Sequence, residues 1–409
     1  VQEVILPRKS TLHLGLWETT YETISLARIK RDDQLSGCCA QSRAAQPSAI
    51  RHKLDHFLGE IARIDHIHYP RISEEVSEVA KILKSRSAHP LPPLYQVALS
   101  FAARNCKDPR DKVFSILGLA NRSIFSDFRP DYSASVEDCY TDFFTRMIQW
   151  SGCDHRVLLG TGFGPTHSGM PSWVRDFSRI YSPELTGQEL RRLQVYDLYD
   201  CSAGQTSLLQ VVDNRELRVQ AVQQDVILVK GSTMSDIFDD PIKVRSVLQE
   251  WAQMSKSTSV SYTDDERQIH SRFCRTLCAD LRNDMSLKGI FWRRATTGEI
   301  PSPAALQMLL NGDSSTLDDG FVPGVAMSTA GRALFITESG NIGLCNPKAQ
   351  RGDVITALIG AKVPFVLRDV GDHYDGHDTC ELIGDCFLFG YMDGEIIQAG
   401  NVVRDIVLI

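Results

Sequence analysis

The residues best able to do chemistry, by type and spacing, lie in Asp372-His373-Tyr374-Asp375-Gly376-His377-Asp378. His373, Asp375 and His377 recur at every second position, and imidazole with carboxylate is a ligand set for zinc or another divalent ion. The run falls between two expected strands, where a polar turn is needed in any case, so a solvated β-loop accounts for the same residues. His52 and His56 stand one helical turn apart, as two zinc ligands on one helix face would. They lack the glutamate of an HExxH motif and a third ligand nearby, and His66 with His68 adds little. Neither a metal nor any other cofactor is expected.

Cys106 has Arg104 and Lys107 as neighbours, cations that would lower a thiol pKa. No histidine is placed to complete a Cys-His pair. Cys274 with Cys278, one turn apart on a helix, and Cys380 with Cys386, flanking a strand, read as small buried hydrophobes. Cys38-Cys39 falls in a polar linker. Gly160-Thr161-Gly162-Phe163-Gly164 follows an apolar run and imitates a phosphate-binding loop. A dinucleotide fingerprint needs a helix directly after its glycines, and Pro165, Gly169 and Pro171 prevent one. The stretch reads as a loop.

The densest charges belong to the run Cys106 to Ala120. Asp108 is placed as an N-cap, Pro109 at the first helical position and Asp111 two residues further on, where its charge faces the positive end of the helix. Val113, Phe114, Ile116 and Leu117 require burial, and Gly118 is placed to stop the helix in the left-handed conformation. Arg104, Asp108, Arg110, Asp111 and Lys112 sit beside these apolar residues, so at least one partly buried ion pair is expected. Such pairs are commonly structural, and no nucleophile–base set can be assembled around them. The run reads as a structural hub.

Composition narrows the function classes. The 409 residues are 43% hydrophobic and 23% charged, with a net charge of -7, which argues against a general nucleic-acid binder. No apolar stretch approaches the ~20 residues that span a bilayer, so no membrane partner is expected. Eleven cysteines without a CxxC pair suggest reduced thiols and a cytoplasmic location. The chain opens Val1-Gln2-Glu3 without a signal peptide, as a piece of a longer protein would.

The elements follow from periodicity. Strands are expected at Val1 to Leu6 and Thr11 to Gly15, a helix at Trp17 to Arg28, and a linker at Lys30 to Pro47. Helices follow at Ile50 to Ile67, Ile72 to Lys84 and from Leu94, where Leu94, Val97, Ala98, Phe101 and Ala102 form a stripe. Ser135, with Asp138 at the capping-box position, opens an amphipathic helix carrying Val136, Tyr140, Phe143, Phe144, Met147 and Ile148. Strands at Leu208 to Val212, Leu217 to Val222 and Val226 to Val229 precede helices at Pro241 to Met254 and Asp264 to Leu281. Five short strands between Arg332 and Tyr391 have apolar faces suited to a small closed barrel or a sheet covered on both sides, with Pro364 at an edge or bulge. The fold class is α+β: an N-terminal and central helical layer, then a C-terminal small β-barrel or β-rich domain.

Several of these stretches resemble one family. Asp108-Pro109-Arg110-Asp111-Lys112-Val113-Phe114 through Gly118-Leu119-Ala120 is similar to the DPRDK signature of fungal heterokaryon-incompatibility (HET-domain) proteins. Pro130-Asp131-Tyr132-Ser133 and its helix resemble the next family step. Met170-Pro171-Ser172-Trp173-Val174-Arg175-Asp176-Phe177-Ser178 resembles LPSWVPDWS, with Arg175 for a usual Pro and Phe177 for a usual Trp. Phe273-Cys274-Arg275-Thr276-Leu277 resembles the family's F-x-R-T-L helix. Gly352-Asp353, Val363-Pro364-Phe365 and Asp393-Gly394 fall in a C-terminal block similar to the family's.

The resemblance implies that 1–29 is the remnant of a HET domain, with Gln2-Glu3 as its closing motif, while polar composition makes 30–49 a linker or loop. Periodicity gives a helical region at 50–200 and a β-rich region at 201–409, with a helical insertion at about 240–312 and a barrel-like block at about 325–409. The implied function is a non-enzymatic regulatory and interaction scaffold in fungal non-self recognition and programmed cell death. Its partners would be the missing HET domain, within the same protein, and other incompatibility or signalling proteins. One alternative is part of a TIR-like NAD-hydrolysing enzyme, for which Glu3 is the residue that carries over. Another is a barrel that binds a small ligand or peptide.

Overall fold

The structure, a computed structural model, describes residues 10–14, 17–35, 54, 57–59, 61, 62, 64, 65, 94–119, 127–151, 154–162, 169–178, 183–213, 215–235, 241–257, 266–284, 291–311, 320–374 and 376–409. The chain divides into two units, one of Val1–Phe101 with Cys106–Pro130 and one of Ala102–Asn105 with Asp131–Ile409. The strand expected at Val1 to Leu6, the helix at Ile72 to Lys84, Cys38-Cys39, and His52, His56, His66 and His68 lie outside the described residues.

In the first unit, β1 (Thr11–Leu14) and β2 (Trp17–Thr20) form an antiparallel hairpin. Trp17 to Thr20 was expected to be helical. The helix instead begins at Tyr21, where the Thr20 hydroxyl caps it by accepting the Thr23 N–H at 3.1 Å. It runs on to Leu35, into the stretch read as linker. Tyr21, Ile29 and Ile61 make a small core beside buried Asp65, whose carboxylate accepts from Tyr21 at 2.8 Å and Ser25 at 2.7 Å and pairs with Arg28 at 3.1 Å. Burial still pushes the Asp65 carboxyl upward. The helix Leu94–Phe101 buries Leu94, Val97, Ala98 and Phe101, the stripe its spacing predicts.

The DPRDK run departs from its expected form. Its α-helix is a single turn, Asp111–Phe114, with Arg110 at the N-cap, and Leu117–Leu119 is a 3-10 turn. Tight bonds from the Asp111 and Lys112 N–H groups to the Asp108 and Pro109 carbonyls come first. The Asp108 carboxylate therefore reaches only two residues on, accepting the Arg110 N–H at 3.0 Å as an Asx turn. Gly118 lies inside the 3-10 turn and does not take the left-handed conformation, because the chain tightens there instead of ending a helix.

In the second unit, Ser135 caps the helix Val136–Ser151 as expected, its hydroxyl accepting the Asp138 N–H at 3.0 Å. The apolar face packs Tyr140, Phe143 and Phe144 around Phe177, with ring centroids 5.7 to 6.4 Å apart. Phe177 is fully buried among them.

The strands of this unit are β3 (Gln210–Val212), β4 (Glu216–Thr233), β5 (Leu281–Asp284), β6 (Phe291–Arg294), β7 (Ala333–Thr337) and β8 (Ile342–Cys345). Then come β9 (Val354–Leu358), β10 (Phe365–Tyr374), β11 (His377–Asp385), β12 (Phe387–Leu388) and β13 (Arg404–Leu408). Five of them close on themselves in the order β4-β13-β11-β10-β9-β4, a small barrel in which β11 and β13 are the parallel pair. The stretch expected to be two strands, Leu217 to Val222 and Val226 to Val229, is one 18-residue strand, β4, with a bulge between Gln223 and Asp225. Its first part pairs with β3, β13 and β9, and its last part with β7, which leads to β8 and β12. A bulge absorbs polar residues without breaking the ladder.

Ile227, Phe335, Ile355, Val366, Ile383 and Leu388 fill one core cluster, and Val222, Ala357, Ile359 and Ile396 another. The helices Pro241–Ser257, Glu266–Leu277, Pro303–Leu310 and Phe321–Thr329 and the β5–β6 hairpin lie between β4 and β7 in the chain. No described helix is long and apolar enough to cross a membrane.

Candidate functional site

The sites suggested by residue type fare unevenly. Glu3 and Asp375 lie outside the described residues. His373 and His377 belong to the β10–β11 hairpin, paired with Asp378 and Tyr374 respectively. Among the described residues no three His, Cys, Asp or Glu side chains gather to hold a metal. Cys274, Cys278, Cys380 and Cys386 are buried, and burial pushes their thiols well up, to about 12 for the first two and about 11 for Cys380. Cys106 is exposed, yet desolvation raises its thiol too and outweighs the lowering by Lys112, against the activation expected from its neighbours.

The charged residues of the DPRDK run act on their own backbone. Arg110 binds Asp108 at 2.8 Å in a part-buried pair, and this pair with the Arg110 N–H holds the Asp108 carboxyl below its usual range. Partial desolvation lowers Lys112. Arg104 is exposed.

The later motif residues are similarly engaged. Fully buried Trp173 donates its indole N–H to the Arg215 carbonyl at 3.2 Å, and buried Asp176 accepts from the Ser178 N–H and hydroxyl at 2.9 and 2.6 Å. Gly352 is in the turn before β9. Asp353 next to it is buried and takes the Arg368 guanidinium in a fork at 2.9 and 3.0 Å. Pro364, just before β10, accepts the Cys386 N–H at 2.9 Å through its carbonyl, and Phe365 is fully buried. Asp393 forks Arg294 at 3.0 Å, and Arg294 also meets buried Asp280 at 2.7 Å and lies 4.8 Å over the Tyr199 ring. Gly394 precedes the short helix Glu395–Gln398.

Residue types alone did not reveal a buried charge cluster around Gly160. Arg175 binds Glu189, in the helix Pro183–Val195, at 2.6 Å and the Gly160 carbonyl at 3.0 Å. Arg332 pairs with Asp385, and the other oxygen of Asp385 accepts the Gly160 N–H at 3.1 Å. Arg192 donates to the Met327 and Ala330 carbonyls at 2.8 and 3.1 Å, and burial, then Arg332, lowers it to about 10. Thus Arg175 and Asp385 grip the same turn from its carbonyl and its N–H sides.

Neither glycine of that turn admits a side chain. Gly160 and Gly162 have φ of 68° and 76°, and a Cβ would lie 2.3 Å from an Arg175 nitrogen and 2.1 Å from the Ile383 carbonyl oxygen. Gly162 is thereby pressed against β11 and becomes one wall of a cleft of about 450 Å³. Met170, Pro171, Ser172, Arg215, Glu216, Glu381, Leu382, Ile383, Arg368 and Lys348 also line it.

Ser172 opens this cleft. The Ile409 N–H continues the β13–β11 ladder to the Cys380 carbonyl at 3.1 Å. A regular parallel ladder would then send the Leu382 N–H to the Ile409 carbonyl. Ser172 intervenes, its N–H donating to Ile409 at 2.8 Å and its hydroxyl accepting from Leu382 at 2.8 Å. A serine between a proline and a tryptophan carries no chemical signal, and only the register of two distant strands identifies it.

Fold and site define an α+β protein whose C-terminal part is a closed five-stranded barrel with a charged cleft at the end of β13. Residues 282–409 match the family model described as the Het-6 beta-barrel domain, a domain found in fungal heterokaryon incompatibility proteins. The match fits the family that the DPRDK run and its companions resemble. No curated protein and no solved structure matches the chain.

Proposed function

We propose that this chain is the non-enzymatic regulatory and interaction scaffold of a heterokaryon-incompatibility protein, acting in fungal non-self recognition and the cell death that follows. The observation that carries the reading is where the signature charges go. Asp108, Asp176, Asp353 and Asp393 each bind a neighbouring backbone or guanidinium group, which suits carboxylates that hold turns and strands in place. The partner in the same protein is a HET domain, whose activity the scaffold restrains or tunes.

The test compares three strains of a fungal host: one producing the 409-residue chain, one a HET domain, and one the two joined. The chain alone leaves the cells viable, and joining it changes the toxicity of the HET domain. Toxicity of the chain by itself, or a HET domain indifferent to it, refutes the scaffold.

A further inference from the structure

We propose that the cleft beside Ser172 binds a small zwitterion of the amino-acid type, either a free α-amino acid or the end of a short peptide. Two groups in its lining carry the inference. Asp353 and the Lys348 carbonyl hold Arg368 by Nε and Nη2. Among the described residues its Nη1 makes no hydrogen bond and has only a loose contact, 3.8 Å, with the half-exposed Glu381. A guanidinium fixed on one edge and open on the other is pre-organised for a carboxylate.

The complementary group is Glu216. Its Oε2 is buried and has no hydrogen-bond partner among the described residues. Desolvation, then Asp213, pushes its carboxyl up, the response of a carboxylate without a cation. An ammonium or peptide N–H supplies what this oxygen lacks. Met170, Leu382 and Ile383 offer apolar surface to a side chain, and about 450 Å³ is at the small end of the usual range for ligand sites. The cleft belongs wholly to the second unit, so the inference does not depend on the proposed scaffold role.

Saturation-transfer NMR and calorimetry on the full chain test it, with the twenty common L-amino acids singly and with tri-alanine as probes. At least one probe binds in the millimolar range or tighter. Its N-acetylated, C-amidated form binds at least tenfold more weakly. Glu216→Gln weakens binding about tenfold, and Glu381→Gln, which removes the anion nearest Nη1, tightens it several-fold. Binding of a free amino acid identifies a metabolite ligand, and binding of tri-alanine alone a peptide end. Failure of every probe, equal binding of the blocked form, or indifference to Glu381→Gln overturns the proposal. The last arm stands even if Glu216→Gln disturbs folding, because Glu381 is at the surface.

Discussion

The Ser172 hydroxyl accepts the Leu382 amide at 2.8 Å, a bond that would otherwise run between two barrel strands. Ser172→Ala removes the acceptor and costs about 1 kcal/mol. Hydrogen exchange of the Leu382 amide becomes several-fold faster, and amides of the β10–β9 pairing do not change. Unaltered exchange at Leu382 would show that the hydroxyl is not its partner.

The pair of Arg175 and Glu189 is buried on both sides, with side-chain exposures of 2% and 9%. Removing one member leaves the other's charge buried without its direct counter-ion. Arg175→Met lowers stability by roughly 3–5 kcal/mol, and adding Glu189→Met to it restores much of the loss. Chemical denaturation of the two single variants and the double variant measures the coupling.

Asp280 and Asp393 share Arg294 but differ in setting, with side-chain exposures of 4% and 55%. Asp280 also holds Arg275 at 2.7 Å. Asp280→Asn strips both guanidiniums of their buried counter-charge and costs roughly 3–5 kcal/mol. Asp393→Asn costs less than about 1 kcal/mol, as for other exposed pairs. Thermal melts of both variants give the ratio.

The buried thiols set an alkaline limit. Burial raises Cys274, Cys278 and Cys345 to about 12, whereas in the unfolded chain they ionise near the ordinary value of about 8.5. The unfolded state therefore loses protons first. Stability is intact below about pH 8 and falls as pH rises toward the folded-state values, by up to about 1.4 kcal/mol per pH unit for each thiol. Denaturation midpoints between pH 7 and 11 check the slope. At neutral pH iodoacetamide labels Cys106 first among the described cysteines, since the others are buried.

Periodicity made some of this structure legible. The helix Val136–Ser151 follows from its apolar spacing and its Ser135 cap, and the stripe from Leu94 becomes a helix with that face buried. Where polar residues interrupt a pattern, the pattern misleads. Gln223-Gln224-Asp225 looks like the end of a strand, but β4 carries it on a bulge. The DPRDK run has the residues of a capped helix but forms a turn, because tight bonds to the Asp108 and Pro109 carbonyls leave the Asp108 carboxylate to close only an Asx turn. Arg175 with Glu189 and Arg332 with Asp385 were not legible at all, since both pairs depend on contacts the chain makes only once folded.

The 18-residue β4 has a consequence for how the barrel is made. It touches β13, β9 and β7, yet it precedes residues 282–409, the stretch that matches the barrel family model. A fragment cut at 282 would expose three strand edges at once and would be prone to aggregate. In the whole chain, β4 must wait on the ribosome for partners synthesised much later, β13 last of the described strands. Closure of such long-range pairings is slow.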